Sequence, residues 1–444
     1  MRNPVWLRSL LLATGALAVA GMSGCGTGVS SSASKPVVVT AARLQGVVMG
    51  GQQPVAGVTL QLYQAGTTGY GSAATALGVS VQTTDKGNFD FPSYTCAAGS
   101  QVYLVGTGGH PTALLTNNNL AMMVGLGTCG GTYLNNFIDM NELTTVATIW
   151  ALQPFMTSAT NIGTSPTNLA GLADAFAAIN QVVTTANGTV PGPTLPAGAT
   201  LPVDEINTLA DLLVQCVNSG GGVAGDSSNC GQLFNLAPDT AGTVFPTDTI
   251  MAAMNIAKSP GRNVASLLAL RSGTPQFSPV LNVNSPPTDW TIGITYTGGG
   301  LNAPTSVATD ASGAVWVTNS GNSSVTKLDN TGAAISGASG FTAGGLSSPS
   351  AIAIDASGNA WVTNAGNNTV TELNPSGSAG TVYSGNGLSS PQSIAIDGFG
   401  NVWIANAGAN AVSAFTGGGS VLTGSPFSGA GVSAPVVSVA VTPK

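Results

Sequence analysis

The sequence predicts a multidomain α and β protein: an N-terminal β-sandwich over 37–133, a central helical domain over 136–275 and a C-terminal partial β-propeller over 290–444. Three observations predict it. Apolar residues alternate with period two through the first part, then recur at helical spacing from Leu143. One pattern then returns three times, as Pro304-TSVATDASGAVWVTN, Pro349-SAIAIDASGNAWVTN and Pro391-QSIAIDGFGNVWIAN. These prolines lie 45 and 42 residues apart, the spacing of propeller blades rather than of helical solenoids.

Composition bounds the rest. The 444 residues are 43 % hydrophobic, enough for several cores, yet only 6 % are charged, where about 25 % is usual. Disordered chains are poor in apolar residues and rich in charge, so the 61 glycines do not signal disorder. The surface is Ser, Thr, Asn, Gln and Gly, and with so few ionisable groups stability is expected to hold over a wide pH range. No Lys/Arg cluster follows residue 8 and the net charge is −7, which leaves nucleic acid no electrostatic footprint.

Residues 1–24 read as an export signal: Arg2 and Arg8, then an apolar run from Leu10 to Ala20, too short to span a bilayer. Met22-Ser23-Gly24-Cys25 resembles a bacterial lipobox, with Met22 where Leu is usual. That resemblance implies a lipid anchor on Cys25, a tether over 25–36, and a place in the bacterial cell envelope at the outer membrane.

Strands are expected at Val37–Val39, Leu44–Met49, Val58–Tyr63, Val79–Thr83 and Val102–Val105, with turns at Gly50-Gly51, Asp85-Lys86-Gly87-Asn88 and Ala98-Gly99. The stretch LQGVVMGGQQPVAGVTLQLY followed by TTDKGNFDF resembles the carboxypeptidase regulatory-like, transthyretin-like domain, which implies an accessory, adhesive role. With Cys25 taken by lipid, four cysteines remain in an exported chain, and three pairings are open. Cys96 with Cys129 and Cys216 with Cys230 keeps each pair within one expected domain. None forms a C-x-x-C, so no metal site is expected.

In the helical part, Asp139 with Glu142 reads as an acidic capping box before Leu143, Val146, Ala147 and Trp150. Further helices are expected from Asn168, from Pro202, over Thr249–Lys258 and over Asn263–Arg271, about five in all, with 217–229 a loop. The segments NELTTVATIWALQPF and DTIMAAMNIAKSPGRNVASLLAL resemble helical segments that precede NHL-type repeats in bacterial envelope proteins.

Within the repeats, Asp310, Asp355 and Asp397 read as turn residues bonding their own backbone. Trp316, Trp361 and Trp403 read as packing between blades, and Asn319, Asn364 and Asn406 as left-handed turn residues. Eight residues before each proline, Tyr296, Phe341, Tyr383 and Phe427 are expected on outer strands, and Pro435 to open one more inner strand. About three four-stranded blades plus orphan strands result, short of the four to eight that close a ring. Open blade edges invite self-association. The pattern resembles NHL and virginiamycin B lyase-like propellers. Such lyases use a catalytic His and a metal, whereas the only histidine here, His110, lies outside the repeats. Lactonase-like propellers need clustered acids, and those of the repeats are few. No catalytic residue and no cofactor is expected. The reading is a noncatalytic envelope lipoprotein that recognises protein or carbohydrate, with a divergent propeller hydrolase or lyase, or a fragment of a longer propeller, as alternatives.

Overall fold

The computed structural model describes residues 37–131, 137–271, 273–429 and 439–440. The export signal, Cys25 and the tether lie outside them, as does the strand expected at Pro435 apart from Val439 and Ala440, which are in no strand.

The alternating segments build two four-stranded sheets and one two-stranded sheet. Their strands are β1 (Val38–Ala41), β2 (Leu44–Gly50), β3 (Gln53–Pro54), β4 (Thr59–Gln64), β5 (Thr75–Gln82), β6 (Asn88–Phe91), β7 (Tyr94–Ala97), β8 (Gln101–Thr107), β9 (Ala121–Thr128) and β10 (Phe137–Met140). One sheet runs β5-β4-β8-β9, antiparallel throughout. In the other four-stranded sheet, β2 pairs with β6 and β3 antiparallel and with β10 in parallel, while β1 pairs with β7 in the two-stranded one. Leu44, Val48, Leu60, Leu62, Leu104 and Val124 share the core of these sheets. Gly46 is obligatory there: a Cβ would stand 2.1 Å from the Ile138 carbonyl oxygen and 2.5 Å from the Phe89 ring.

The expected boundary between sandwich and helices is not a structural one. Strand β10 falls in the segment read as helical, and β8 and β9 are buried on both faces, as near-continuous apolar strands are. Their second face, with Tyr103, Val105, Ala121 and Met123, joins the helical core. Among the described residues the helices are six: α1 (Glu142–Leu152), α2 (Leu169–Val182), α3 (Val203–Val217), α4 (Asn229–Leu236), α5 (Thr249–Lys258) and α6 (Val264–Leu270).

Helix α1 is capped by Asn141, not Asp139. Asn141 Oδ1 accepts the Thr144 N–H at 3.0 Å, and Thr144 Oγ1 accepts the Asn141 N–H at 2.9 Å. Buried threonines then close the free edge of β9. The Ala121, Met123 and Gly125 N–H groups donate to Oγ1 of Thr249, Thr145 and Thr148 at 2.9, 3.1 and 2.9 Å. Each would otherwise be an unpaired donor in a dry core.

Two short ribbons link the parts: β11 (Met156–Ser158) with β12 (Asn161–Ile162), and β13 (Ala199–Thr200) with β14 (Thr295–Tyr296). The repeats follow as consecutive antiparallel sheets, or blades. Blade 1 is β15 (Pro304–Thr309), β16 (Val315–Asn319) and β17 (Ser324–Leu328), with Phe341 bridged to Val325 as its outer edge. Blade 2 is β18 (Pro349–Ile354), β19 (Ala360–Asn364), β20 (Thr369–Leu373) and β21 (Gly380–Ser384). Blade 3 is β22 (Pro391–Ile396), β23 (Val402–Asn406), β24 (Ala411–Phe415) and β25 (Phe427–Ser428). No closed ring forms among the described residues.

Three of the four aromatic outer positions pair as the repeat predicts, Phe341, Tyr383 and Phe427 with Val325, Val370 and Val412. Tyr296 does not: it pairs with Ala199 of the helical part. Its ring nevertheless lies where a Cβ on Gly332 would be 2.0 Å away, just as Phe341 and Tyr383 cover Gly377 and Gly419 at 2.2 Å. The helical part thus supplies the outer contact that a preceding blade would make.

Candidate functional site

The residues shared by the repeats form one network per blade. Asp310 Oδ1 accepts the Ser312 and Ala314 N–H groups at 2.9 and 3.1 Å, and Oδ2 accepts the Trp316 indole N–H at 3.0 Å. Asp355 and Asp397 do the same, taking the indoles of Trp361 and Trp403 at 3.1 and 2.9 Å. The indole bond was not read from the sequence, though the constant six-residue Asp-to-Trp spacing carries its signal. Two consequences follow for charge. Burial raises the Asp310 pKa, but bonds from Ser312, Trp316 and Lys327 outweigh it and hold the carboxyl far below its usual range. Asp397 is likewise brought down to about 2, with burial opposed by Trp403 and Asn401.

Trp316 and Trp361 are fully buried between blades, in cores with Ile352 and Val362 and with Ile394 and Ile404. Trp403, on the last described blade, is half-buried. Each indole also lies against its own blade's outer aromatic, Phe341, Tyr383 or Phe427, at 5.8, 5.2 and 5.5 Å between centroids.

Asn319, Asn364 and Asn406 are not left-handed. They end strands β16, β19 and β23, fully buried, while the positive φ falls four residues later at Ser323, Asn368 and Asn410. Asn364 shows why Asn is there: Oδ1 accepts the Ser347 N–H at 3.2 Å, and Nδ2 donates to Thr369 and Thr371 at 3.1 and 2.9 Å. The amide ties three segments of a blade together, a task that needs a donor and an acceptor on one short side chain.

Blades are also stitched to each other. Thr305 and Ser350, each just after the repeat proline, donate to the carbonyls of Pro349 and Pro391 at 2.8 and 2.7 Å. Ser348 and Ser390 donate their N–H groups to Ser323 Oγ and Asn368 Oδ1.

The four cysteines form Cys96–Cys129 and Cys216–Cys230, with Cα atoms 6.0 and 4.3 Å apart. Helix α4, where no element was expected, begins beside Cys230 as the loop over 217–229 ends. Its N-cap Ser228 accepts the Gly231 N–H at 2.9 Å, and the disulfide fastens its first turn to the end of α3.

Acids missed as a group lie in the shared core. Glu142 is fully buried, and its Oε2 accepts the Gly51 N–H at 2.9 Å while Oε1 has no hydrogen-bond partner. Burial, against bonds from Gly51 and its own N–H and with the charges of Asp211 and Asp139, pushes Glu142 up to about 8. Glu205 is pushed up to about 7 by burial and by Asp289 and Asp204. Dehydration keeps Glu142 largely protonated at pH 7 and leaves Glu205 near half-protonated there.

Two clefts flank the sheets. One, of about 470 Å³, is lined by Gln53, Thr112, Gln215, Asn218, Asn229 and Gln276 among others, with no titratable side chain. The other, of about 460 Å³, holds His110 and Asp85, with Thr116 Oγ1 3.1 Å from His110 Nδ1. Among the described residues no three His, Cys, Asp or Glu side chains are grouped to hold a metal ion.

No protein-family model matches the chain, and no curated protein matches it. Among solved structures, a streptogramin B lyase matches at 19 % identity and TM-score 0.25, over 28 % of this chain and 40 % of its own. Virginiamycin B lyase from Staphylococcus aureus matches at 18 % and 0.24, over 27 % and 40 %. A nidogen/laminin complex matches at 19 % and 0.23, over 27 % and 46 %. The chain spans less than half the length of each. The blade architecture rests on the strand pairing itself.

Proposed function

We propose that this chain is a noncatalytic cell-envelope lipoprotein whose blades and sandwich recognise protein or carbohydrate. One observation supports it most: the Asp, Trp and Asn that the repeats share are hydrogen-bonded or packed inside the blades. What faces solvent is loops of Asn, Ser and Gly on a rigid scaffold, the usual place for recognition. Two disulfides suit an extracellular or periplasmic compartment, and no described helix is long and apolar enough to cross a membrane. The anchor in this reading is lipid on Cys25.

Self-association belongs to the same proposal. Ile352 and Ile394 share cores with Trp316 and Trp361 of the blade before, whereas their counterpart Val307 on β15 is 64 % exposed. A second copy, offering its half-buried Trp403, matches that inner strip.

The test has three arms. Radiolabelled palmitate should enter the wild type and not Cys25→Ala. An array of cell-surface glycans and envelope proteins should show saturable binding, with no turnover of lactones or polysaccharides. Light scattering should show a mass above the monomer that Val307→Asp lowers; a monomer at every concentration removes self-association. Turnover abolished by a chelator would replace recognition with hydrolase or lyase chemistry.

A further inference from the structure

Among the clefts, one lies in the helical part and is unlike the rest. It measures about 540 Å³, and Tyr70, Trp150, Gln153, Thr240, Lys258 and Thr291 line it with four apolar neighbours. No Asp or Glu lines it. Two aromatic rings, three neutral hydrogen-bonding side chains and one cation therefore converge in a chain that holds only 10 Lys and Arg.

Each part is held in place. The Trp150 indole donates to the Trp290 carbonyl at 2.8 Å, which sets the ring's angle. Lys258, in the last turn of α5, donates to the Met156 carbonyl at 2.5 Å and lies 3.5 Å from the Tyr70 hydroxyl. Among the described residues it makes no ion pair. The acids nearest in sequence hold backbone donors: Asp248 accepts the Met251 N–H at the start of α5, Asp239 the Thr243 and Val244 N–H groups, and Asp289, beside the cleft, the Thr291 N–H. An ammonium held by one carbonyl and one hydroxyl keeps a third donor for an anion.

We propose that this cleft binds an acidic saccharide of the uronic acid class. Aromatic rings present flat apolar faces to the C–H side of a sugar, amide and hydroxyl groups take its hydroxyls, and Lys258 takes its carboxylate. A single monovalent cation matches one carboxylate; a phosphate dianion would need further donors. The site goes beyond the blade reading and does not depend on it.

The experiment titrates the full chain with digalacturonate and with digalactose, its counterpart lacking only the carboxylates, by isothermal calorimetry. Digalacturonate should bind about tenfold or more tighter, the worth of one hydrogen bond to a charged group. Lys258→Gln should remove that preference and Lys258→Arg should keep it, with circular dichroism confirming that both fold. Equal binding of the two sugars, no binding of either, or an unchanged preference in Lys258→Gln would each overturn the assignment. Because Lys258 lies outside the blades, these outcomes leave recognition by the blade loops to its own array.

Discussion

Lys327 shows how a repeat position changes sign without losing its network. It lies 3.1 Å from Asp310 Oδ2, 4.3 Å above the Trp316 ring, and 3.0 Å from the Pro375 carbonyl of blade 2. The same position is Glu372 in blade 2, where it accepts from Asn359 Nδ2 and the Tyr383 hydroxyl at 3.0 and 2.7 Å. Blade 1 has Ala314 and Phe341 in those places, neither of which has a side-chain polar group for a carboxylate, and a cation facing Asp310 stands there instead. Lys327→Met should cost on the order of 2 kcal/mol, since a largely buried charge-assisted bond is lost; an unchanged urea midpoint would refute this. The acids make a second prediction, and it runs against the expected indifference to pH. Glu142 holds a proton when folded up to about pH 8 and releases it near 4.5 when unfolded, so its contribution is full below 4.5 and lost as pH rises through 8. Glu205, at about 7, and Asp139, raised to about 6 by burial, act in the same direction. Asp397, at about 2, acts oppositely, stabilising above its usual 3.8 and losing that as pH falls through 2. Denaturation midpoints should therefore peak near pH 4 to 5 and decline toward pH 8. Glu142→Gln should flatten that decline by on the order of 2 kcal/mol. The titratable groups are few, but burial rather than number sets the effect.

Helix α1 and strand β9 illustrate how far a sequence discloses its elements. Five sandwich strands (β1, β2, β4, β5 and β8), five of the helices and the blade strands follow from period and turn residues, because those patterns are local; β7 and β9 were not read. What escaped reading depends on partners distant in the chain. Strand β10 is four residues long and is made a strand by β2, some ninety positions earlier. Helix α4 has only eight residues, among them Gly231 and two asparagines, and its start is fixed by Ser228 and by the bond from Cys230 to Cys216. The threonines of α1 looked like ordinary helix residues, yet they complete the edge of a sheet. Thr145→Val keeps shape and volume while leaving the Met123 N–H unpaired, so it should destabilise by about 1–3 kcal/mol. Hydrogen exchange at Met123 would accelerate with it; protection equal to wild type would show that water or a shifted carbonyl takes the donor. The Cys216–Cys230 bond spans a separation of 14 residues, and losing it should cost about 3 kcal/mol in the chain-entropy account. Exchange in α4 should rise more than in α3, because α3 has the larger buried face.

Tyr296 joins the two halves of the molecule. Its strand pairs with Ala199 and Thr200, its ring covers Gly332 in the turn after β17, and its hydroxyl lies 3.4 Å from Gln181 Oε1. Gln181 in turn donates to the Thr331 carbonyl at 2.6 Å, and Asn330 donates to Asp174 at 2.9 Å. Helix α2 therefore occupies the outer half of the position a preceding blade would take, leaving only the inner strand β15 uncovered. An incomplete stack of blades is stabilised at one end by the chain's own helices, and the two parts should melt as one cooperative unit. Calorimetry of the wild type should show a single transition. Tyr296→Ala, which removes the ring from Gly332 and the bond to Gln181 together, should split it, with the blades melting first because their cores hold fewer buried side chains than the helical one. Asp174→Ala removes a surface bond alone and should leave the single transition intact. Two transitions in the wild type would mean that the helices and blades are independent, and that the blade stack draws its stability from the Trp and Asn networks within it.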